Sequence, residues 1–171
     1  MTYAGGIRMA CIQYSFYNMI SEALQTRGWL TSIAGRKDVK LIMGQLDPRE
    51  AIKPNIIAIS FEDVDYSDWE TGSNLTEDRW SVFFDIFAEN EDIGLQIAGD
   101  IYDMLRGKMP SIDMSNTFFQ VQDYQTDEDI FTCEIDLVAI QRVRDPEKQH
   151  NKYWWVVGCE IVDMYYDDGE E

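Results

Sequence analysis

Residues 79–107 read RWSVFFDIFAENEDIGLQIAGDIYDMLRG, and this stretch sets the fold. Trp80, Val82, Phe84, Ile86 and Ala88 share one face, with Phe83 and Phe87 on the other. That alternation predicts a strand over Arg79–Glu89, covered in part on both faces. At Asn90 the period changes. Asn90 is a good N-cap, and Glu91 and Asp92 place negative charge in the first turn, where the helix dipole favours it. Ile93, Ile97, Ile101 and Leu105 then recur every fourth residue, and Ala98, Tyr102 and Met104 widen the stripe. Gly107 ends this helix, with Pro110 beyond it.

Upstream, residues 10–27 predict a first amphipathic helix, because Ile12, Phe16, Met19, Ile20, Ala23 and Leu24 fall at helical spacing. Gly28 is its C-cap, and Trp29 and Leu30 fold back on the helix end. Residues 34–38, AGRKD, read as a turn and Val39–Met43 as a short strand. Asp47-Pro48 and Lys53-Pro54 punctuate a loop. Asn55–Asp63 carries Ile56, Ile57, Ala58, Ile59 and Phe61, a near-continuous apolar run that suits a central strand. Residues 64–78, VDYSDWETGSNLTED, are acidic and rich in turn formers, and predict a long loop.

Downstream, Phe118–Tyr124, Ile130–Val143 and Tyr153–Tyr165 predict strands, the last two joined by the polar turn 144–151 as an antiparallel hairpin. In the middle one, Phe131, Cys133, Ile135, Leu137 and Ala139 share a face opposite Thr132, Glu134 and Asp136. In the last, Trp155, Val157, Cys159 and Ile161 point inward. The acidic tail 167–171 is expected to fray. The order α, β, β, β, α, β, β, β predicts an α+β fold, with two helices packed on one face of a mixed, mainly antiparallel sheet, in a single domain over 1–171.

The 171 residues carry 14 Lys and Arg against 32 Asp and Glu, a formal charge of −18. So acidic a chain has no net attraction for phosphate backbones or anionic membranes, so neither nucleic-acid gripping nor membrane binding is expected. A channel past which DNA slides is compatible, because repulsion prevents sticking. No apolar run is long enough to span a membrane, and MTYAGGIRMACIQ at the start lacks the apolar core of a secretory signal. Three cysteines, Cys11, Cys133 and Cys159, form no CxxC pair, which fits buried free thiols in a reducing compartment.

The residues for enzyme chemistry are sparse. The lone histidine, His150, sits in a charged turn, and no nucleophile elbow, P-loop or dinucleotide motif is present. Metal binding through His and Cys fails for want of ligands. Residues 63–74, DVDYSDWETGSN, begin like a calcium-binding loop with Asp63, Asp65 and Ser67. The sixth position, however, is Asp68 rather than Gly, and the twelfth is Asn74 rather than Glu. Glu134 and Asp136 share a strand face, as a carboxylate pair for acid–base work must, yet among 32 acids such a pair arises by chance. The expectation is therefore no enzyme, no metal and no cofactor.

Aromatic residues carry the non-catalytic signal. Tyr66 and Trp69 lie inside the acidic segment, and Tyr165 and Tyr166 lie beside acids near the end of the last strand. Trp154 points opposite Trp155, on the face away from the helices. Tyr and Trp favour protein interfaces, so these five are the candidate subunit or partner contacts. For Trp69, packing back on its own sheet is slightly favoured over an interface role. Asp63, Asp65, Asp68 and Glu70 are the acidic candidates for a lumen or an interface.

Residues 79–107 resemble the strand-then-helix core of tail terminator (tail completion) proteins of long-tailed bacteriophages. The likeness extends to the N-terminal helix at Met9–Arg27, a P-x-I strand at Pro54–Phe61, a D-x-L-x-G stretch at Asp103–Gly107, and antiparallel strands that close the chain. It covers about three quarters of the sequence by order of elements; the insertions around 108–130 and 144–153 are not matched to the family. The resemblance implies a non-enzymatic homo-oligomer in the phage neck, a ring usually of six copies. That ring caps the tail tube, docks to a head-closure or connector protein, and passes DNA through its lumen. It implies a virion protein assembled in the host cytoplasm. The alternative reading is an acidic protein-binding module, such as an anti-host factor that mimics DNA charge.

Overall fold

The computed structural model describes residues 5–30, 39–44, 55–68, 75–107, 118–143 and 153–166. Helix α1 (Gly5–Thr26) buries Cys11, Ile12, Phe16, Ile20, Ala23 and Leu24, the stripe set by its apolar spacing. Its end is a Schellman turn. Gly28 takes φ +77°, the Trp29 N–H donates to Leu24 O at 2.9 Å and the Gly28 N–H to Gln25 O at 2.9 Å. Trp29 is thereby folded back, and its indole N–H donates to Asp100 Oδ2 at 2.7 Å on the second helix.

Strands β1 (Lys40–Met43), β2 (Ile56–Asp68) and β3 (Leu75–Ala88) follow, then helix α2 (Glu91–Leu105), then β4 (Phe118–Gln122), β5 (Asp129–Val143) and β6 (Tyr153–Tyr166). They form a six-stranded sheet in the order β1-β2-β3-β6-β5-β4. Only β1–β2 is parallel among these pairs; the rest are antiparallel. The fold is α+β, as the order of elements predicts. Each half of the chain contributes a helix and three strands, and the last strand of each half, β3 and β6, pair at the centre.

Cross-strand partners point to the same side of a sheet. Ile57, Ile59, Val82, Phe84, Ile86, Val157, Cys159 and Ile161 share one face and one core with both helices. The other face carries Ile56 and Phe87, packed with Ile42 and Trp154. The helices therefore cover one face of the sheet.

The β3–α2 junction follows the sequence closely. Asn90 is extended (φ −144°, ψ 168°), and its side chain accepts from the Ile93 N–H at 2.9 Å. Gly94 is required by close approach: a Cβ there would lie 2.7 Å from the Trp155 ring and 3.2 Å from the Ala88 Cβ. Gly107 closes α2 at φ +68°.

Two expectations are corrected. The segment 64–78 is not one long loop. Strand β2 continues to Asp68, β3 begins at Leu75, and the two pair out to Asp68↔Thr76 around a bulge between Glu62 and Val64. Polar residues form this extension because backbone pairing needs no apolar side chain, and β6 pairs alongside as far as Tyr166↔Leu75. The second correction concerns β5. Its register with β6 passes from Asp136↔Glu160 to Ala139↔Gly158, so one extra residue is inserted. Leu137 there takes φ +48° and is 64% exposed, Ala139 is exposed, and Val138 instead packs against the core.

Candidate functional site

Cys11, Cys133 and Cys159 are free and buried. Burial pushes the Cys159 thiol up to about 12, and burial, with the Asp163 charge second, pushes Cys133 up as well. Both are neutral thiols at neutral pH. His150 lies outside the described residues. Among the described residues no three His, Cys, Asp or Glu side chains converge as metal ligands. Asp63, Asp65 and Ser67 lie in β2 rather than in a loop, and residues 69–74 lie outside the described residues. No described helix is long and apolar enough to cross a membrane.

The surfaces that remain are those of the sheet. Its face that no described helix covers, the helix-free face, divides into an apolar part and a charged part. In the apolar part Trp154 stacks obliquely on Phe87, with ring centroids 5.4 Å apart, and its indole N–H donates to Asp85 Oδ1 at 2.8 Å. Burial raises the Asp85 pKa, the Trp154 bond lowers it, and Glu62 raises it further. Next to this, the Phe83 ring reaches over Gly158, 3.4 Å from where a Cβ would stand.

The charged part centres on Arg79. Its guanidinium bonds Glu77, bonds Glu160 Oε2 at 3.0 Å and approaches Asp136 Oδ2 at 3.7 Å. Asp136 and Glu160 are direct cross-strand partners, an arrangement that repels unless a cation lies between them. Glu134 is on this face too, beside Val162 in the register, so Glu134 and Asp136 do share a side. Asp136 is thus ion-paired with Arg79.

At the end of the sheet below the first turn of α1, the helix-covered face becomes polar. Arg8 bonds both carboxylate oxygens of Asp163, with Nη2–Oδ1 at 2.7 Å. Its guanidinium lies 3.6 Å from the centre of the Phe131 ring and 4.8 Å from that of Tyr165. Tyr165 donates to Asp78, which is 5% exposed. The β5 bulge and the end of α2 bound an open groove of about 440 Å³, lined by Tyr102, Arg106, Ile135, Asp136, Leu137 and Val138. Arg106 lies over the Tyr102 ring and donates to its hydroxyl at 2.9 Å.

The aromatic candidates are therefore not gathered in one place. Trp154 is on the helix-free face and Tyr165 on the helix-covered one. The Tyr66 backbone is paired with Asp78 and that of Tyr166 with Leu75. Their side chains, those of Asp63, Asp65 and Asp68, and all of Trp69 and Glu70, lie outside the described residues. Sequence reasoning missed the Arg8–Asp163 pair, whose members are 155 positions apart. A signal was present: the inward series Val157, Cys159, Ile161 continues to Asp163, and Trp80, Val82, Phe84 extends backward to Asp78. A charge at an inward position needs a partner. The chain matches no protein-family model and no curated protein.

Proposed function

We propose that this chain is a structural protein of the bacteriophage neck, a ring-forming subunit that caps the head-proximal end of the tail tube and joins it to a head-closure or connector protein. The observation that carries the reading is the β3–α2 unit, a long alternating strand passing through an Asn cap into an amphipathic helix, within the order α1-β1-β2-β3-α2-β4-β5-β6. This is the order of elements on which the resemblance to tail terminators rests. The surface is in keeping with an assembly role. Leu137, Ile140, Met164 and Phe118 are large apolar side chains left exposed in the single chain, at 64%, 38%, 47% and 47%. A ring closes through a heterologous contact, so two different patches of this kind meet at each junction. With a charge of −18 per subunit, the lumen has no hold on DNA passing through it.

Native mass spectrometry at moderate salt tests this. A closed multimer is expected, six copies on the family's usual pattern. Subunits this acidic repel one another, so assembly strengthens as salt screens the charge or divalent cations bind. An oligomer unchanged from low to high salt, and unchanged by chelator, contradicts that dependence. A monomer that binds a basic host DNA-binding protein instead supports the acidic binding module and overturns the ring.

A further inference from the structure

The polar end of the β3–β6 pair contains a charge problem. Asp78 and Asp163 are direct register partners, both on the helix-covered face. Such partners have Cβ atoms about 5 Å apart, and like charges there repel. Asp163 is fully buried and Asp78 is 5% exposed, so water screens neither well. Among the described residues the cation bonded here is Arg8, and both of its hydrogen bonds go to Asp163. Asp78 receives the Tyr165 hydroxyl, while its Oδ1 is buried with no hydrogen-bond partner among the described residues. An ionised carboxylate buried with an orphan oxygen is costly; a protonated one has lost the charge that makes it so.

We propose that Asp78 and Asp163 hold one proton between them in the native fold, carried on Asp78, and that this proton latches the first turn of α1 to the end of the sheet. With the proton present, Arg8 faces a single negative charge and stays in its bidentate bond to Asp163, between the rings of Phe131 and Tyr165. When the proton leaves, Asp78 competes with Asp163 for the one guanidinium and repels it across the strand pair. The end of α1 then loosens.

The groups that face Asp78 are Arg8 from α1 and Asp163 and Tyr165 from β6; on β2 its register partner is Tyr66, and Cys133 of β5 faces Asp163. Burial raises the Asp78 pKa most, the Tyr165 bond lowers it, the Asp163 charge raises it, and Arg8 lowers it; the net shift is upward from 3.8. A raised folded pKa means that the native state binds the proton more tightly than the unfolded chain. The stabilisation is fully present below the ordinary carboxylate pKa and is lost as pH rises through the folded value.

The experiment compares wild type with Asp78→Asn by denaturant unfolding from about pH 3 to pH 9, with amide exchange of Arg8–Ile12 at each pH. The ratio of folding constants, variant over wild type, is expected to climb by about tenfold for each pH unit between the unfolded and folded pKa of Asp78 and then level off. Over the same window, exchange in wild type becomes faster than in the variant. Tyr165→Phe removes a bond that favours the ionised form, so it moves the window to higher pH, whereas a merely structural tyrosine lowers stability equally at all pH. A ratio that does not change with pH overturns the proposal. Should Asp78→Asn fail to fold, the carboxyl carbon shift of Asp78 followed by NMR in wild type decides: titration at the ordinary carboxylate pKa overturns the latch, and titration above it supports it.

Discussion

The centre of the β3–β6 pair and its far end are the same two strands in the same register, built from different chemistry. In the centre the helix-covered partners are Val82–Cys159, Phe84–Val157 and Ile86–Trp155. Six to eight residues along from Phe84 they are Asp78–Asp163 and Thr76–Tyr165, closed by one arginine from α1. Burial stabilises the centre through apolar area removed from water. At the far end burial alone destabilises, and the Arg8 bonds, the Tyr165 hydroxyl and the Cys133 thiol offset it. A strand can thus continue past the point where its hydrophobic pattern stops, provided another element brings the missing charge.

Substitutions that break each region sharpen this contrast. Phe84→Ala empties the centre, where the ring is fully buried against Phe16, and is expected to destabilise by about 3–5 kcal/mol in urea unfolding, with little dependence on pH. Arg8→Met strands a buried carboxylate and is expected to cost about 3 kcal/mol at neutral pH. Replacing the pair, Arg8→Met with Asp163→Leu, is expected to recover most of that loss, because the far end then follows the chemistry of the centre. Equal instability of the single and double variants contradicts the comparison. Asn90→Ala lies outside both regions and removes only the α2 cap, for an expected cost of about 1 kcal/mol at any pH.

The same contrast explains what the sequence could reveal. Residues 79–107 were legible because apolar period and backbone change together at Asn90, and α1 was legible down to its Schellman glycine. The extension of β2 and β3 beyond Asp63 and before Arg79 was not, since acidic and turn-forming residues pair there through their backbones. The outward turn of Leu137 was hidden for another reason: a bulge shifts the face of every later residue and leaves no mark in composition. Arg8 could not be matched to Asp163 from spacing alone. Trp154 was legible as facing away from the helices, though its own Phe87 and Asp85 as neighbours were not.

The proposed neck role meets its most direct test in electron microscopy of tail tubes assembled from a tube protein encoded in the same genome, mixed with the purified chain at moderate salt. The account predicts a ring of density at one end of each tube, and tubes that no longer lengthen when more tube protein is added. Folded protein that leaves both ends bare and elongation unchanged would contradict it.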